Sequence, residues 1–237
     1  MDFRNLFFSR VKTNTKGNNY REGFFYLPLA IYVYIIATCV AVALDLNMLE
    51  RSFSTRFGNT RLNFLKTWEQ VVITANDFPT PEKLRVANDF FNQNIYFSDD
   101  WAVWGQNDYW ATPLETLAKG RGDCEDFAIA KYFSLKAMGI PVSRLRLVYV
   151  KVTQMGPAGP VVQAHMVLAY YQYPGAEPLV LDNINPKIYP ASQRTDLVPV
   201  YSFNSEGIWQ GTGNQVANGQ LSRLQDMLTR ARMEGFY

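Results

Sequence analysis

The sequence predicts an α+β fold in which helices come first and an antiparallel sheet follows. In the first part of the folded region, apolar residues recur at helical spacing, whereas segments rich in Leu, Val and Tyr dominate after residue 143. Glycine and proline turns separate these later segments. Helices grouped before strands, without alternation, indicate separate helical and sheet layers.

The first 44 residues differ in composition from the rest of the chain. Residues 23–44 carry no charge, and this stretch is long enough to cross a bilayer. Residues 1–22 contain five basic and two acidic side chains, so the positive-inside rule predicts a basic cytoplasmic tail and export of the remainder. Ala41-Val42-Ala43 is typical of a signal-peptidase site, whereas the length of the apolar stretch is typical of a retained signal-anchor. Both interpretations of residues 23–44, a signal peptide that is cleaved and a signal-anchor that tethers the protein, therefore remain open.

Charge and cysteine content limit the classes of function. The excess positive charge lies in the tail, so nothing indicates a nucleic-acid partner. Of the two cysteines, Cys39 lies within the apolar stretch, and Cys124 is the single thiol of the exported part. That part can form no internal disulfide, and a lone thiol in an oxidising compartment is a liability unless it is buried or used.

The predicted elements follow in a simple order. We interpret residues 45–60, which are polar and mixed, as a linker, and residues 61–237 as the folded domain. Helices are predicted at 61–75, 81–95, 112–119, 123–138 and 222–233, and strands at 144–152, 163–172, 178–183 and 197–203. Residues 96–111 are aromatic and rich in turns, and we expect a packed loop. Trp101, Trp104 and Trp110 either pack inside this loop, the interpretation that we favour, or contribute to a groove for a partner.

The predicted helix at 123–138 is apolar nearly all round, which indicates a buried, central helix. Its first turn carries Cys124, where the helix dipole stabilises a thiolate. Three acids surround this cysteine, namely Asp123, Glu125 and Asp126, and their charges raise the pKa of a thiol. Either Cys124 is an inert core residue, or something neutralises the acids.

His165, the only histidine of the chain, and Asp182 lie on consecutive predicted strands. If residues 172–175 close a hairpin, His165 stands directly opposite Asp182, with Cβ atoms about 5 Å apart. Taken singly, the histidine is typical of a satisfied core residue and the aspartate of a loop cap. Together with Cys124 they form the nucleophile, base and orienting group of acyl transfer.

Four sequence stretches resemble the bacterial transglutaminase-like cysteine proteinases over roughly residues 60–210. They are WATPLE at 110–115, GDCEDFAIAKY at 122–132, AHMVLAY at 164–170 and LDN at 181–183. The resemblance implies a papain-like or transglutaminase-like α+β fold, in which the helix that bears the cysteine packs on an antiparallel sheet. It also implies that Cys124 is the nucleophile, His165 the base and Asp182 the orienting residue of a protease domain.

The resemblance further implies calcium as cofactor, held by Asp123, Glu125 and Asp126. Calcium is a hard cation that takes six to eight oxygen ligands, and it would cancel the repulsion around the thiol. We expect residues 106–110 to supply further oxygens, with Asp108 as a candidate.

The function that the resemblance implies is that of a periplasmic endopeptidase. Proteins of this kind cleave the N-terminal region of a large, repeat-containing surface adhesin beside a pair of alanines, and so release cells from a biofilm. An inner-membrane cyclic-di-GMP receptor sequesters the protease when the nucleotide is abundant. Two alternatives remain: a transglutaminase or amidase that uses the same three residues, and a non-catalytic, calcium-stabilised periplasmic binding module.

Overall fold

The computed structural model describes residues 44–213 and 222–237, so the predictions for the basic tail and for residues 23–43 lie outside the described residues. In this part of the chain, no helix is both long and apolar enough to span a membrane. The helices are α1 Leu46–Phe57, α2 Leu62–Ala75, α3 Thr80–Asn94, α4 Asp100–Trp104, α5 Pro113–Lys119, α6 Cys124–Ala137 and α7 Ser222–Glu234. The strands are β1 Tyr96–Phe97, β2 Arg121–Gly122, β3 Leu145–Gly156, β4 Gly159–Tyr170, β5 Leu179–Leu181, β6 Tyr189–Pro190, β7 Leu197–Phe203 and β8 Ile208–Gln210.

The predicted α+β class is confirmed. Strands β3 to β8 form one antiparallel sheet of six strands in the order β6-β5-β4-β3-β7-β8. The short strands β1 and β2 pair with each other in parallel. Their pairing brings the segment that follows β1 to the start of α6, because Ser98 N donates to Gly122 O at 2.9 Å.

Helix α6 is the central element of the helical layer, as its apolar sequence predicts. Its side chains at 126–135 are all buried, and Phe127, Ile129 and Leu135 belong to the main hydrophobic core. The inner face of the sheet contributes Leu147, Met166 and other residues to the same core. A smaller cluster covers the outer face and consists of Val148, Val150, Val167, Ala169, Tyr171 and Val180. The sheet is therefore apolar on both faces, which explains why β4 lacks a clear polar alternation.

The predicted linker at 45–60 is wrong, because residues 46–57 form α1. Asp45 caps this helix by accepting a hydrogen bond from Met48 N at 3.0 Å. Leu49 and Phe53, four residues apart, lie on one face of the helix and are buried in the core. The polar residues that suggested a linker occupy the other positions of a helix with one narrow apolar stripe.

The predicted packed loop at 96–111 is also only partly correct. It contains β1 and α4, and Trp110 is buried and stacked on Phe203 with ring centroids 5.5 Å apart. Trp104 is half-buried against Tyr109. Trp101, in contrast, is 67% exposed, because the short helix α4 turns this side chain away from the core.

Burial of α1 is expected to contribute measurably to stability. Phe53→Ala removes an aromatic ring that is 1% exposed and leaves a cavity, so the free energy of unfolding should fall by about 3–5 kcal/mol. Urea denaturation measures this change. Thr55→Ala, at an exposed position of the same helix, is the control and should change stability by less than about 0.5 kcal/mol. Equal stability of the two variants would contradict an integral α1.

Candidate active site

Cys124 occupies the first position of α6, where backbone N–H groups point out of the helix. Its thiol donates a hydrogen bond to Glu125 Oε2 at 2.7 Å, and the nearby backbone N–H of Met166 acts in the opposite direction by lowering the thiol pKa. Burial and the charge of Glu125 raise the pKa of the Cys124 thiol well above its ordinary value. As the sequence predicts, the acids around this cysteine oppose formation of the thiolate.

Space at the start of the helix depends on Gly122. A Cβ atom at this position would lie 2.6 Å from Asp126 Oδ2, closer than real atoms approach. The glycine therefore allows the buried Asp126 carboxylate to fold back against the chain that precedes Cys124.

His165 and Asp182 form a buried pair, with Nε2 and Oδ1 2.8 Å apart. Burial alone would raise the pKa of Asp182, but the hydrogen bond and charge of His165 and the hydrogen bonds from Ile184 N and Arg194 outweigh it and hold the pKa at about 2. Because Asp182 is therefore an ionised acceptor, Nε2 of His165 donates the proton of this hydrogen bond. Nδ1 is the ring nitrogen left to exchange a proton with a substrate or a nucleophile.

The pairing of these strands differs from the predicted register. Leu168 stands opposite Leu181, so Asp182 is level with Val167 rather than with His165. The hairpin loop is longer than the four predicted residues, since the last paired residues are Tyr170 and Leu179. A shift of two residues preserves the face on which a side chain lies, and a diagonal pair remains within reach.

Arg194 is a third member of this buried group, and the sequence does not predict its presence there. Its Nη2 donates to Asp182 Oδ2 at 2.7 Å and to Asp196 Oδ2 at 2.8 Å. The guanidinium is almost fully buried, so it compensates the charge of Asp182 inside the protein. Arg194 lies in an irregular segment twelve residues beyond Asp182, and no periodicity or motif marks it.

Cys124 and His165 line a common cleft of about 650 Å³ at the edge of the sheet. Its other lining residues include Tyr149, Gln163, Ala164, Met166, Asn183 and Glu125. The structure thus brings the three predicted catalytic residues to one region, although the thiol is bonded to Glu125 rather than to the imidazole.

The predicted acidic site includes one residue that the sequence did not reveal. Carboxylate oxygens of Asp100, Asp123 and Asp126 lie within 4.8 Å of one another. Glu125 belongs to a separate group with Asp123 and Cys124. Asp108, the candidate from residues 106–110, instead pairs with Arg223 at 2.7 Å. The sequence does not reveal Asp100 as a member of this acidic group. Only the pairing of β1 with β2, which joins segments far apart in sequence, brings Asp100 close to Asp123 and Asp126.

These three acids are poorly compensated within the described residues. Each has one buried oxygen without a hydrogen-bond partner there, namely Asp100 Oδ1, Asp123 Oδ1 and Asp126 Oδ2. Burial and the charges of neighbouring acids, Glu125 foremost, raise the pKa of Asp100 to about 6 and that of Asp123 to about 9. Clustered, unpaired carboxylate oxygens are the ligands of a hard divalent cation, so this group fits a metal.

The backbone at 109–111 holds two of the acids. Tyr109 N donates to Asp100 Oδ2 at 2.6 Å, and Ala111 N donates to Asp126 Oδ1 at 2.8 Å. Between them, Trp110 O accepts from Arg230 Nη2 of α7 at 2.7 Å. The C-terminal helix therefore supports the acidic group through this segment.

A cysteine at a helix N-terminus, beside a histidine held by a carboxylate, is the arrangement of papain-like thiol enzymes. The family of bacterial transglutaminase-like cysteine proteinases (BTLCP) matches residues 66–212. The chain belongs to this family and is a cysteine proteinase.

Solved structures of Legionella pneumophila LapG are similar to this chain. The calcium-bound structure is 36% identical, covers 79% of this chain and 99% of its own, and has a TM-score of 0.67. The EGTA-treated structure is 35% identical, with 81% and 100% coverage and a TM-score of 0.67. No curated protein sequence matches the chain. The structural similarity supports the transglutaminase-like fold expected from the sequence.

The low pKa of Asp182 makes stability depend on pH. Its ionised form should stabilise the protein above the unfolded pKa of about 4, and this contribution should be lost as the pH falls through the folded pKa of about 2. Asp182→Asn should therefore lower the free energy of unfolding by about 2–3 kcal/mol at pH 6, and its difference from wild type should narrow between pH 4 and pH 2.

Urea denaturation across this pH range measures the difference. Asp89→Asn, at a partly exposed position on α3, is the control and should stay close to wild type. A deficit of Asp182→Asn that is the same at pH 2 as at pH 6 would contradict the assigned ionisation.

Proposed function

We propose that the protein is a calcium-dependent cysteine endopeptidase in which Cys124, His165 and Asp182 act together. The observation that carries this proposal is the buried His165–Asp182 pair, at 2.8 Å, in the same cleft as Cys124. In a family of cysteine proteinases, this is the one histidine available to the nucleophile, because the chain contains no other.

The chemistry follows from the protonation of this pair. Nδ1 of His165 accepts the thiol proton of Cys124, and Asp182 stabilises the resulting imidazolium through Nε2. The thiolate then attacks the scissile carbonyl and forms a C–S bond. As the C–N bond breaks, the imidazolium returns its proton to the leaving amine. Water, deprotonated by His165, hydrolyses the thioester. The Cys124 backbone N–H, free at the helix start, is a donor for the oxyanion.

The cofactor proposal rests on the acids. Asp100, Asp123 and Asp126 offer three unpaired, buried oxygens, and Glu125 lies close enough to Asp123 to add a fourth carboxylate. Bound calcium would supply positive charge beside a thiol whose ionisation these acids oppose. A relative with a calcium-bound structure, LapG, supports this choice of cation. Compared with the ligands expected from the sequence, the proposed set adds Asp100 and omits Asp108.

The biological setting is proposed from the resemblance to LapG. The substrate is the N-terminal region of a large, repeat-containing surface adhesin, cut near a pair of alanines, and its release promotes biofilm dispersal. A cyclic-di-GMP receptor of the inner membrane is the inhibitory partner. The protease acts in the periplasm, free or tethered through residues 23–44.

Replacement of the nucleophile is the first test of this function. Cys124→Ala should abolish cleavage of a purified adhesin N-terminal fragment, because no other group can form the acyl-enzyme, while the circular dichroism spectrum is retained. Cys39→Ala removes the only other cysteine and should cleave normally. Cleavage by Cys124→Ala would refute the assignment. Incorporation of an amine by the wild type without cleavage would favour a transglutaminase. If the wild type shows neither activity, a binding module is favoured.

The calcium site makes an independent prediction. Calcium should raise the melting temperature of the wild-type protein because it relieves repulsion among buried carboxylates, and EGTA should reverse the rise and stop cleavage. Asp100→Asn should lower calcium affinity by about tenfold or more in calorimetric titration, since one charged ligand is lost. Asp99→Asn is the matched control, because its exposed side chain lines the same cleft outside the three-acid group. Equal affinity of the two variants would remove Asp100 from the site.

A further inference from the structure

One edge of β4 is unpaired for most of its length among the described residues. On one side, β3 pairs with β4 from Gly159 to Tyr170 without interruption. On the other side, β5 pairs only with residues 168–170. Residues 159–167 therefore have a neighbouring strand on one side only within the described part of the chain.

The turn between β3 and β4 determines which backbone groups face this edge. Gly156 and Gly159 are directly paired across the two residues 157–158, so they exchange both of their hydrogen bonds. In a regular antiparallel pair, hydrogen-bonded and non-hydrogen-bonded positions alternate. Hence the backbone N–H and C=O groups of Val161, Gln163 and His165 form hydrogen bonds with β3. Those of Val162, Ala164 and Met166 point away from β3, towards the unpaired edge.

Two contacts agree with this assignment. Met166 is one of the outward-facing residues, it lines the same cleft as Cys124, and its N–H lies near enough to the sulfur to lower the thiol pKa. Tyr171, of the other set, donates its N–H to Arg144 O on the β3 side at 2.8 Å. The sulfur of the nucleophile therefore lies on the line of outward-facing amides.

The next two amides on that line belong to Ala164 and Val162. Both residues are exposed, Val162 to 60%, and neither N–H has a partner among the described residues. Successive outward-facing residues are about 6.8 Å apart along a strand. The amides of Ala164 and Val162 thus lie two and four residues along β4 from the amide of Met166. At its far end, Pro160 has no N–H to offer.

An open edge of this kind is a template for another strand, and proteins commonly shield such edges with charges or bulges. Here Val161 and Val162 are exposed without a charge, and β4 pairs with β3 without a bulge. Ala164 and Gln163 line the cleft that holds Cys124 and His165. The edge is thus continuous with the site where a proteinase must place a polypeptide.

We propose that the edge of β4 at residues 162–164 binds the substrate as an added β-strand, with main-chain hydrogen bonds to Val162 and Ala164 that deliver the scissile bond to Cys124. The inference rests on the proposed function and specifies the occupant as an extended segment of the adhesin. Main-chain pairing gives affinity without demanding a particular sequence, while alternate side chains of the added strand give selectivity. A segment held in a folded domain would not be cleaved.

A proline at position 162 tests the edge directly. Val162→Pro removes only an outward N–H, a change that an edge strand tolerates. It should lower kcat/KM for cleavage of the adhesin fragment by about tenfold, the effect of one net hydrogen bond. The rate at which iodoacetamide alkylates Cys124 should not change. Val161→Thr alters a neighbouring exposed side chain whose backbone groups bond to β3, and it should cleave like wild type.

Amide exchange gives a second measurement that does not depend on the proline variant. In the Cys124→Ala protein, the adhesin fragment should protect the amides of Val162 and Ala164, whereas those of Val161 and Gln163 are protected by β3 already. Cleavage by Val162→Pro at the wild-type rate, or no added protection, would overturn the inference and leave the proposed function intact. No cleavage by wild type would overturn the proposed function and this inference with it. A dimer that Val162→Pro disrupts without loss of cleavage would assign the edge to a second copy instead.

Discussion

The first turn of α6 is the point on which the rest of the site depends, because it carries a carboxylate into the core. Asp126 is fully buried, and burial of an unpaired charge is among the most costly events in folding. Its compensation comes from Ala111 N, at 2.8 Å, and from the space that Gly122 leaves. Since Cys124 lies two residues earlier in the same turn, anything that satisfies Asp126 also fixes the position of the thiol.

Two buried carboxylate systems lie behind the residues that line the cleft, one behind His165 and one beside Asp123, and they are compensated in opposite ways. Asp182 has a histidine and an arginine within 2.8 Å, so protein groups alone keep it ionised. Asp100 and Asp123, by contrast, have raised pKa values because they are buried and because the charged groups acting on them are other acids, Glu125 foremost. The base of the site is therefore preformed by the fold, whereas ionisation of the thiol awaits positive charge from outside the chain. This difference makes dependence on a cation a property of the nucleophile rather than of the base.

Much of this fold follows from local sequence patterns, and the errors have a common origin. Helices α2, α3, α5, α6 and α7 lie within two residues of their predicted positions, since their periodicity and caps are local. Helix α1 was missed because two buried residues, Leu49 and Phe53, decide its packing against a distant part of the chain. The β4–β5 register was two residues off because loop length is not encoded by strand pattern. Asp100 and Arg194 were missed for the same reason, as only tertiary contacts bring them to the site.

The contact between Arg230 and the carbonyl of Trp110 has a mechanical consequence. This carbonyl lies in the chain between Tyr109 N, which donates to Asp100, and Ala111 N, which donates to Asp126. The same guanidinium bonds to Glu115, which also binds Arg56 of α1. Arg230 of α7 therefore contacts the acid-holding segment directly, and Arg56 of α1 is connected to it through Glu115 and Arg230. The two helices farthest from Cys124 in sequence thus form part of the scaffold that positions the acids.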